Sequence, residues 1–529
     1  MALVDKPYDH GVHKRLLDYY SRSTPWNRQL WRLSSVLEIR ELLEANRARH
    51  EGVLSESSVK YLSDGLIRRI RRDVGFGSEK QRGIIVGAIS RKLEPESHDA
   101  YVLGLLADQA DESYLQNWAD AVRAGQPSPE VVSRAVGGSL LDAGFSAEFL
   151  HKWWTFHGRH APGSTGIGDV IEEAVRLARR PAVRYTVLVP LVSSPPLPSP
   201  AVKGVEASDN WLDATSVSDW LAQWVPEVKP LRQAGGLIVD IEARDVPAAV
   251  NKAATMVARL EARFRVGARR QLKFLDELFI IGEDVALPYA LPPRRVEVHA
   301  LQKTSAVFDL DLSAEVSSAL ELLEPLDLGT PAAAVAGSWA AIEALFVGPG
   351  DGRNRVTAAT RMARIVACSY VRAELTTLAN AYSVECDDAL AGEIRRLQEN
   401  IDRARTFEDA LKTGRISTFS RTRHRLALHR MQSLIAEPAD ILPKIVCQLE
   451  DSFRRLYRQK NLILHAGDLT SIALAGTLRT TAPLVGAGID RIVHASAVGA
   501  ASPLQVAATA EVNLERVVEG DTRLVELLG

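Results

Sequence analysis

A chain of 529 residues is too long for one hydrophobic core, and 46% hydrophobic with 25% charged residues is the make-up of a folded globular protein, not a disordered or fibrous one. The formal net charge is −2, so no global field draws the chain to nucleic acid, and any such binding must use local patches. Cys368, Cys386 and Cys447 lack metal-ligand spacing and read as buried thiols of a reducing cytoplasm. The first 20 residues hold no apolar core of a signal peptide, and no run of about 18 apolar residues offers a membrane span, so a cytoplasmic protein is expected.

Residues 1–165 read as a helical N-terminal domain. Val36-Leu37, Ile39 and Leu42-Leu43 give one apolar stripe, and Leu103, Leu105-Leu106 and Leu115, within Tyr101 to Trp118, give another. Ser146 caps a helix that runs on through Phe149, Leu150 and Trp153-Trp154. Residues 60–92 carry nine Lys/Arg against three acids, net +6. This is either a solvated helix face or a nucleic-acid surface. Ala161 to Gly166 then has the composition of a linker.

A helix at about 168–180 leads to a small α/β domain over 180–303. Strands are expected at Tyr185–Val192, Gly236–Ala243, Leu278–Ile281 and Val296–Val298, with a proline-rich loop after Ser193. Asp245 is placed to cap a helix from Val246 to Phe264. The region holds no glycine-rich phosphate loop and no nucleophile elbow, which leaves it as a scaffold or recognition module.

Residues 305–529 return to helices, at about 311–324, 331–347, 353–382, 385–412, 418–436, 439–465 and 502–518. The fold class is therefore mainly α and multidomain. Leu449, Phe453, Leu456 and Ile463 mark the buried side of the penultimate of these helices. Arg458, Asn461 and His465 stand at i, i+3 and i+7, so an unbroken helix gives them one shared face, and Gly467 offers the stop. A cation, an amide and an imidazole on one face have the chemistry to bind and cleave a phosphodiester. Upstream, five arginines (415, 421, 423, 425, 430) and no acid lie between 415 and 430. Arg421, Arg423, Arg425 and Arg430 are then either an ordinary basic face or a phosphate-tracking surface. Arg423 and His429 repeat the loose motif spacing, but without the Leu456-Tyr457 entry and the glycine exit.

Leu456-Tyr457-Arg458, followed by His465-Ala466-Gly467, resembles the signature of HEPN domains of the ApeA-like group. Trp339-Ala340-Ala341-Ile342-Glu343-Ala344-Leu345 is similar to the opening helix of those domains, and Arg361-Met362-Ala363-Arg364-Ile365 to their next helix. The resemblance covers about 305–529. It implies an all-helical bundle, usually dimeric, and a metal-independent endoribonuclease that leaves 2′,3′-cyclic phosphate ends, with no cofactor and no metal. His465 would be general base or acid, Arg458 would stabilise the transition state, and Asn461 would position phosphate or sugar. Glu343 would either orient the imidazole or sit at the rim of its helix. The commonest spelling in the group places arginine directly before the asparagine, where this chain has Lys460. Either Arg458 or Lys460 is thus the motif cation, and helical geometry favours Arg458. Lys460 remains a candidate contact to nucleic acid. The implied partners are RNA, single-stranded or tRNA-like, and a second copy of the chain. The implied role is an anti-phage or stress effector answering a phage-derived or nucleotide trigger through its first 300 residues. The reading from another class is a non-catalytic HEPN-like scaffold.

Overall fold

The computed structural model describes residues 7–29, 32–160, 166–193, 210–227, 231–269, 271–291, 293–309, 312–352, 354–499, 501–518 and 523–528. It is mainly helical, 71% helix and 5% strand, with one small antiparallel sheet. The expected linker at 161–165 and most of the proline-rich loop lie outside the described residues.

The chain forms two compact units. One comprises 1–142, 151–175 and 294–529, and the other comprises 143–150 and 176–293. The two helical regions that the sequence presents as separate domains thus share one unit.

In that unit the chain runs through α1 (Pro7–Tyr20), α2 (Ser35–His50), α3 (Glu56–Ile70), α4 (Glu79–Ile89), α5 (His98–Ala124) and α6 (Pro129–Asp142). Serines start four of these helices. Ser34, Ser55, Ser78 and Ser97 each accept a backbone N–H of the first turn, and Ser78 shares a reciprocal box with Gln81. α7 (Ala147–His160) starts as expected, with Ser146 Oγ accepting the Phe149 N–H, and α8 (Ile167–Ala178) follows.

The second unit holds β1 (Val183–Pro190), β2 (Trp211–Leu212), α9 (Ala214–Trp224), β3 (Gly236–Ala243), α10 (Val246–Ala268), β4 (Glu277–Ile280) and β5 (Leu287–Pro288). The strand order is β2-β3-β1-β4-β5, every pair antiparallel, with Val187 opposite Val239 and Leu188 opposite Ile238. The second half of β1, Val187–Pro190, is an unbroken apolar run because both faces of the sheet are covered there. Val187 and Val189 pack with Ala249, Ala253 and Val257 of α10, while Leu188 packs with Val217 and Leu221 of α9. Asp245 caps α10 through the Ala248 N–H at 2.8 Å. The strand expected at 296–298 does not form. Val296 and Val298 pack against the helical core, and the Val296 N–H donates to Asp327 Oδ1 at 3.2 Å.

The first unit resumes with α11 (His299–Lys303), α12 (Ala314–Leu328), α13 (Pro331–Phe346), α14 (Thr357–Glu385), α15 (Ala389–Arg396), α16 (Asn400–Lys412), α17 (Thr422–Ala436), α18 (Pro438–Ala466), α19 (Leu474–Gly499) and α20 (Pro503–Val518). α15 and α16 replace one expected helix, and α19 was not expected. Trp339, Phe346, Phe407 and Phe453 are fully buried in the core that these helices share. Of the cysteines only Cys368 is buried; Cys386 and Cys447 are half-buried, and all three are free thiols.

Candidate functional site

α18 is continuous through the motif, and Gly467 ends it in the left-handed conformation (φ 69°), where a glycine carries no Cβ penalty. The expected helix and stop are therefore present. What the helix faces differs from expectation.

Arg458 does not face an open cleft. Its side chain is buried against α2, and Nη2 donates to Glu41 Oε1 at 2.7 Å, with Nε at 3.1 Å. One turn earlier, Arg455 donates to Glu41 Oε2 at 2.9 Å and to Glu38 Oε1 at 2.6 Å. Arg69 closes the network on Glu38 and Asp451, both at 2.8 Å. Three guanidiniums thus meet three carboxylates, and every acceptor has at least one charged donor, which a buried charge requires. Burial alone would push the Glu41 carboxyl up, but the Arg455 and Arg458 guanidiniums outweigh it and hold the group down to about 2.

The next rung is polar. Gln459, fully buried, donates to Ser471 Oγ at 2.8 Å, and Ser471 donates to Glu44 Oε2 at 2.7 Å. Glu38, Glu41 and Glu44 stand three residues apart on α2, and Arg455 and Arg458 three apart on α18. Sequence reasoning missed these glutamates. Their signal was the matching three-residue period of opposite charge on two amphipathic helices, which pairs residues more than 400 apart.

Lys460 is the other candidate cation. Its ammonium lies 3.3 Å from Asn461 Oδ1 and 5.7 Å from the centre of the Tyr457 ring, and among the described residues no carboxylate pairs with it. Tyr457 packs on Trp339 with ring centres 4.8 Å apart, and the Trp339 indole N–H donates to Glu343 Oε2 at 2.8 Å. Arg355 takes the other Glu343 oxygen at 3.2 Å. Glu343, Trp339, Tyr457, Lys460 and Asn461 therefore form one continuous chain of contacts between α13 and α18. Glu343 is committed to Trp339 and Arg355, not to the imidazole. His465 stands exposed on the last turn of α18, with no hydrogen-bond partner for its ring among the described residues. Arg458 and His465 are expected on one shared face, but α2 covers that face at Arg458 and it is open only at the helix end.

The basic run is not one solvated face. Arg430 turns inward between Glu130 and Glu374, at 3.8 and 3.7 Å. Arg425 wraps the start of α17, donating to the Phe419 and Ser420 carbonyls and to Thr422 Oγ1. Arg421 lies 3.5 Å from Glu385, which also accepts from the His424 ring at 2.5 Å. Arg423 and Arg425 are both exposed without a carboxylate partner among the described residues, and of the two only Arg425 has its guanidinium engaged by hydrogen bonds. In the 60–92 region, Arg69 is bound into the buried network, whereas Lys60, Arg68, Arg71, Arg72 and Lys80 are exposed.

Among the described residues no three His, Cys, Asp or Glu side chains converge as a metal site requires, and no helix is long and apolar enough to cross a membrane. No protein-family model, curated protein or solved structure matches the chain.

Proposed function

We propose that the chain is a metal-independent endoribonuclease of HEPN type whose working groups are His465, Asn461 and Lys460. The observation that carries this reading is the state of the two cations: Arg458 is consumed by Glu41, while Lys460 has no carboxylate partner among the described residues and touches Asn461. In RNA the 2′-OH lies beside the scissile phosphate, so cleavage needs a base, an acid and charge stabilisation. The 2′-oxygen attacks phosphorus as an imidazole takes its proton. The P–O5′ bond breaks as a second imidazole protonates the leaving oxygen, giving a 2′,3′-cyclic phosphate and a 5′-OH. Lys460 supplies the positive charge for the phosphorane-like transition state, and Asn461, itself buried, orients the Lys460 ammonium through its Oδ1 at 3.3 Å. Each chain offers one His465, so the second imidazole comes from another copy across a two-fold axis.

The test is RNA cleavage by the purified chain in the presence of EDTA. His465→Ala is expected to abolish it, and Lys460→Ala to slow it about 100-fold, neither shifting the melting temperature. Arg458→Ala is expected to lower the melting temperature. Equal activity of wild type and His465→Ala, or no cleavage by any folded form, overturns the reading. The non-catalytic alternative has its own support in the Arg455/Arg458 network, which gives the arginine nearest the motif a purely structural task. Folded, dimeric and RNA-inert protein is the result that favours it.

A further inference from the structure

A cleft of about 620 Å³ opens in the helical unit between α1, the turn after it, α7 and the start of α17. Its size is within the roughly 300–1,000 Å³ usual for small-molecule sites. The lining is strongly one-signed. Lys14, Arg28, Arg421 and Arg423 reach it, along with the rings of His10 and His151, and Asp18 is the sole carboxylate among the lining residues. Asp18 lies 3.7 Å from buried Arg15, which offsets part of its charge.

The cations divide into two classes. Arg28 is buried and paired with Glu374 at 2.5 Å, and Arg421 leans on Glu385 at 3.5 Å. Lys14 and Arg423 have no carboxylate within 4 Å among the described residues, and Asp18, the one lining carboxylate, acts on Arg423 only at longer range. The start of α17 adds no free charge, because Glu385 already answers that helix end, accepting the Arg421 N–H at 3.1 Å and the Ser420 hydroxyl at 2.7 Å. Ser420 and Thr422 line the same wall. Two cations without a close carboxylate match the charge of one or two phosphate groups, not that of a polynucleotide track. Such a track would need a row of free arginines, and Arg421, Arg425 and Arg430 are already engaged. The volume beyond a phosphate leaves room for an organic body against His10 and His151.

We propose that this cleft binds a phosphorylated small molecule of nucleotide size, with its phosphate held by Lys14 and Arg423. The site is separate from the α18 motif, and the proposal does not rest on the ribonuclease reading. Binding is measured by calorimetric titration of the full chain with inorganic phosphate, pyrophosphate, ADP and a 20-nucleotide RNA. Saturable binding of pyrophosphate or ADP is expected, with ADP tighter than inorganic phosphate. Arg423→Ala and Lys14→Ala are each expected to weaken it about tenfold or more, while Arg423→Lys retains most of it. Lys14 is half-buried and Arg423 exposed, so unchanged melting temperatures verify that the variants fold. Binding of RNA alone, binding indifferent to both substitutions, or no saturation by pyrophosphate or ADP in the millimolar range overturns the proposal.

Discussion

Glu41 accepts from two guanidiniums at once, and each of its oxygens has a charged donor. Its folded value near 2 lies below its ordinary 4.5, so its contribution to stability is complete above about pH 4.5 and is lost as pH falls toward 2. The span corresponds to roughly 3 kcal/mol. Glu41→Gln leaves Arg458 buried without an anion and is expected to cost about 3–5 kcal/mol at pH 7, with a flatter loss of stability on acidification. Denaturant titrations of both proteins at pH 7 and pH 3 check this; a variant as acid-labile as wild type contradicts it. The same residues show how far the sequence carried the site. Helix periodicity placed Arg458, Asn461 and His465 correctly on α18 and predicted the glycine stop. It could not say which part of that face another helix covers, because the three-residue period of Glu38 and Glu41 matches that of Arg455 and Arg458 only once two helices more than 400 residues apart are known to pair.

α19 is the element that sequence reasoning passed over. Its Leu474–Gly499 sequence holds several threonines, alanines and glycines and Pro483, and such residues weaken the helical signal. Tertiary contact explains them: a Cβ built on Gly486 would lie 2.8 Å from the Glu297 backbone nitrogen, and one on Gly488 would lie 2.3 Å from Met362 Sδ. Small residues are there so that neighbours can approach. Gly486→Ala, which would help an isolated helix by up to about 1 kcal/mol, is therefore expected to destabilise the protein by about 1–3 kcal/mol. A thermal melt at or above that of wild type excludes this account. Elements governed by local chemistry were legible: the Asp245 cap, strand β3 at Gly236–Ala243, and α7 after Ser146. The segment at 296–298 was not, since three apolar-rich residues fit a strand or a core-packed connector equally well until their hydrogen-bond partner is known.

At the scale of the whole molecule, a change from helical to alternating patterning marks the sheet-bearing part, expected at 180–303, while the compact unit that holds the sheet comprises 143–150 and 176–293. The helical remainder reads as two regions because the sheet-bearing segment interrupts it in sequence, yet 1–142, 151–175 and 294–529 are one unit. The ribonuclease proposal sets an expectation at this scale as well. If two His465 side chains serve one site, mixing His465→Ala chains with wild type before assembly should depress activity below simple dilution. At equal amounts, random pairing leaves wild-type pairs as only about a quarter of the dimers. A mixing curve that tracks dilution, or an active monomer in light scattering, removes the shared site.

The Arg–Glu network also sets a timetable for synthesis. Glu41 and Arg458 are 417 residues apart, so a ribosome adding about 5–20 residues per second makes the carboxylate on the order of 20–80 s before the guanidinium that neutralises it. During that interval Glu41 cannot be buried without a large desolvation penalty, whereas Glu38 already has Arg69 as a partner. α2 must wait, hydrated and without its final neighbour, until nearly the whole chain has been made. The N-terminal helices are thus a nascent-chain liability that chaperones would have to cover, and a ribosome that stalls before Arg455 releases a product with no means of closing its larger unit.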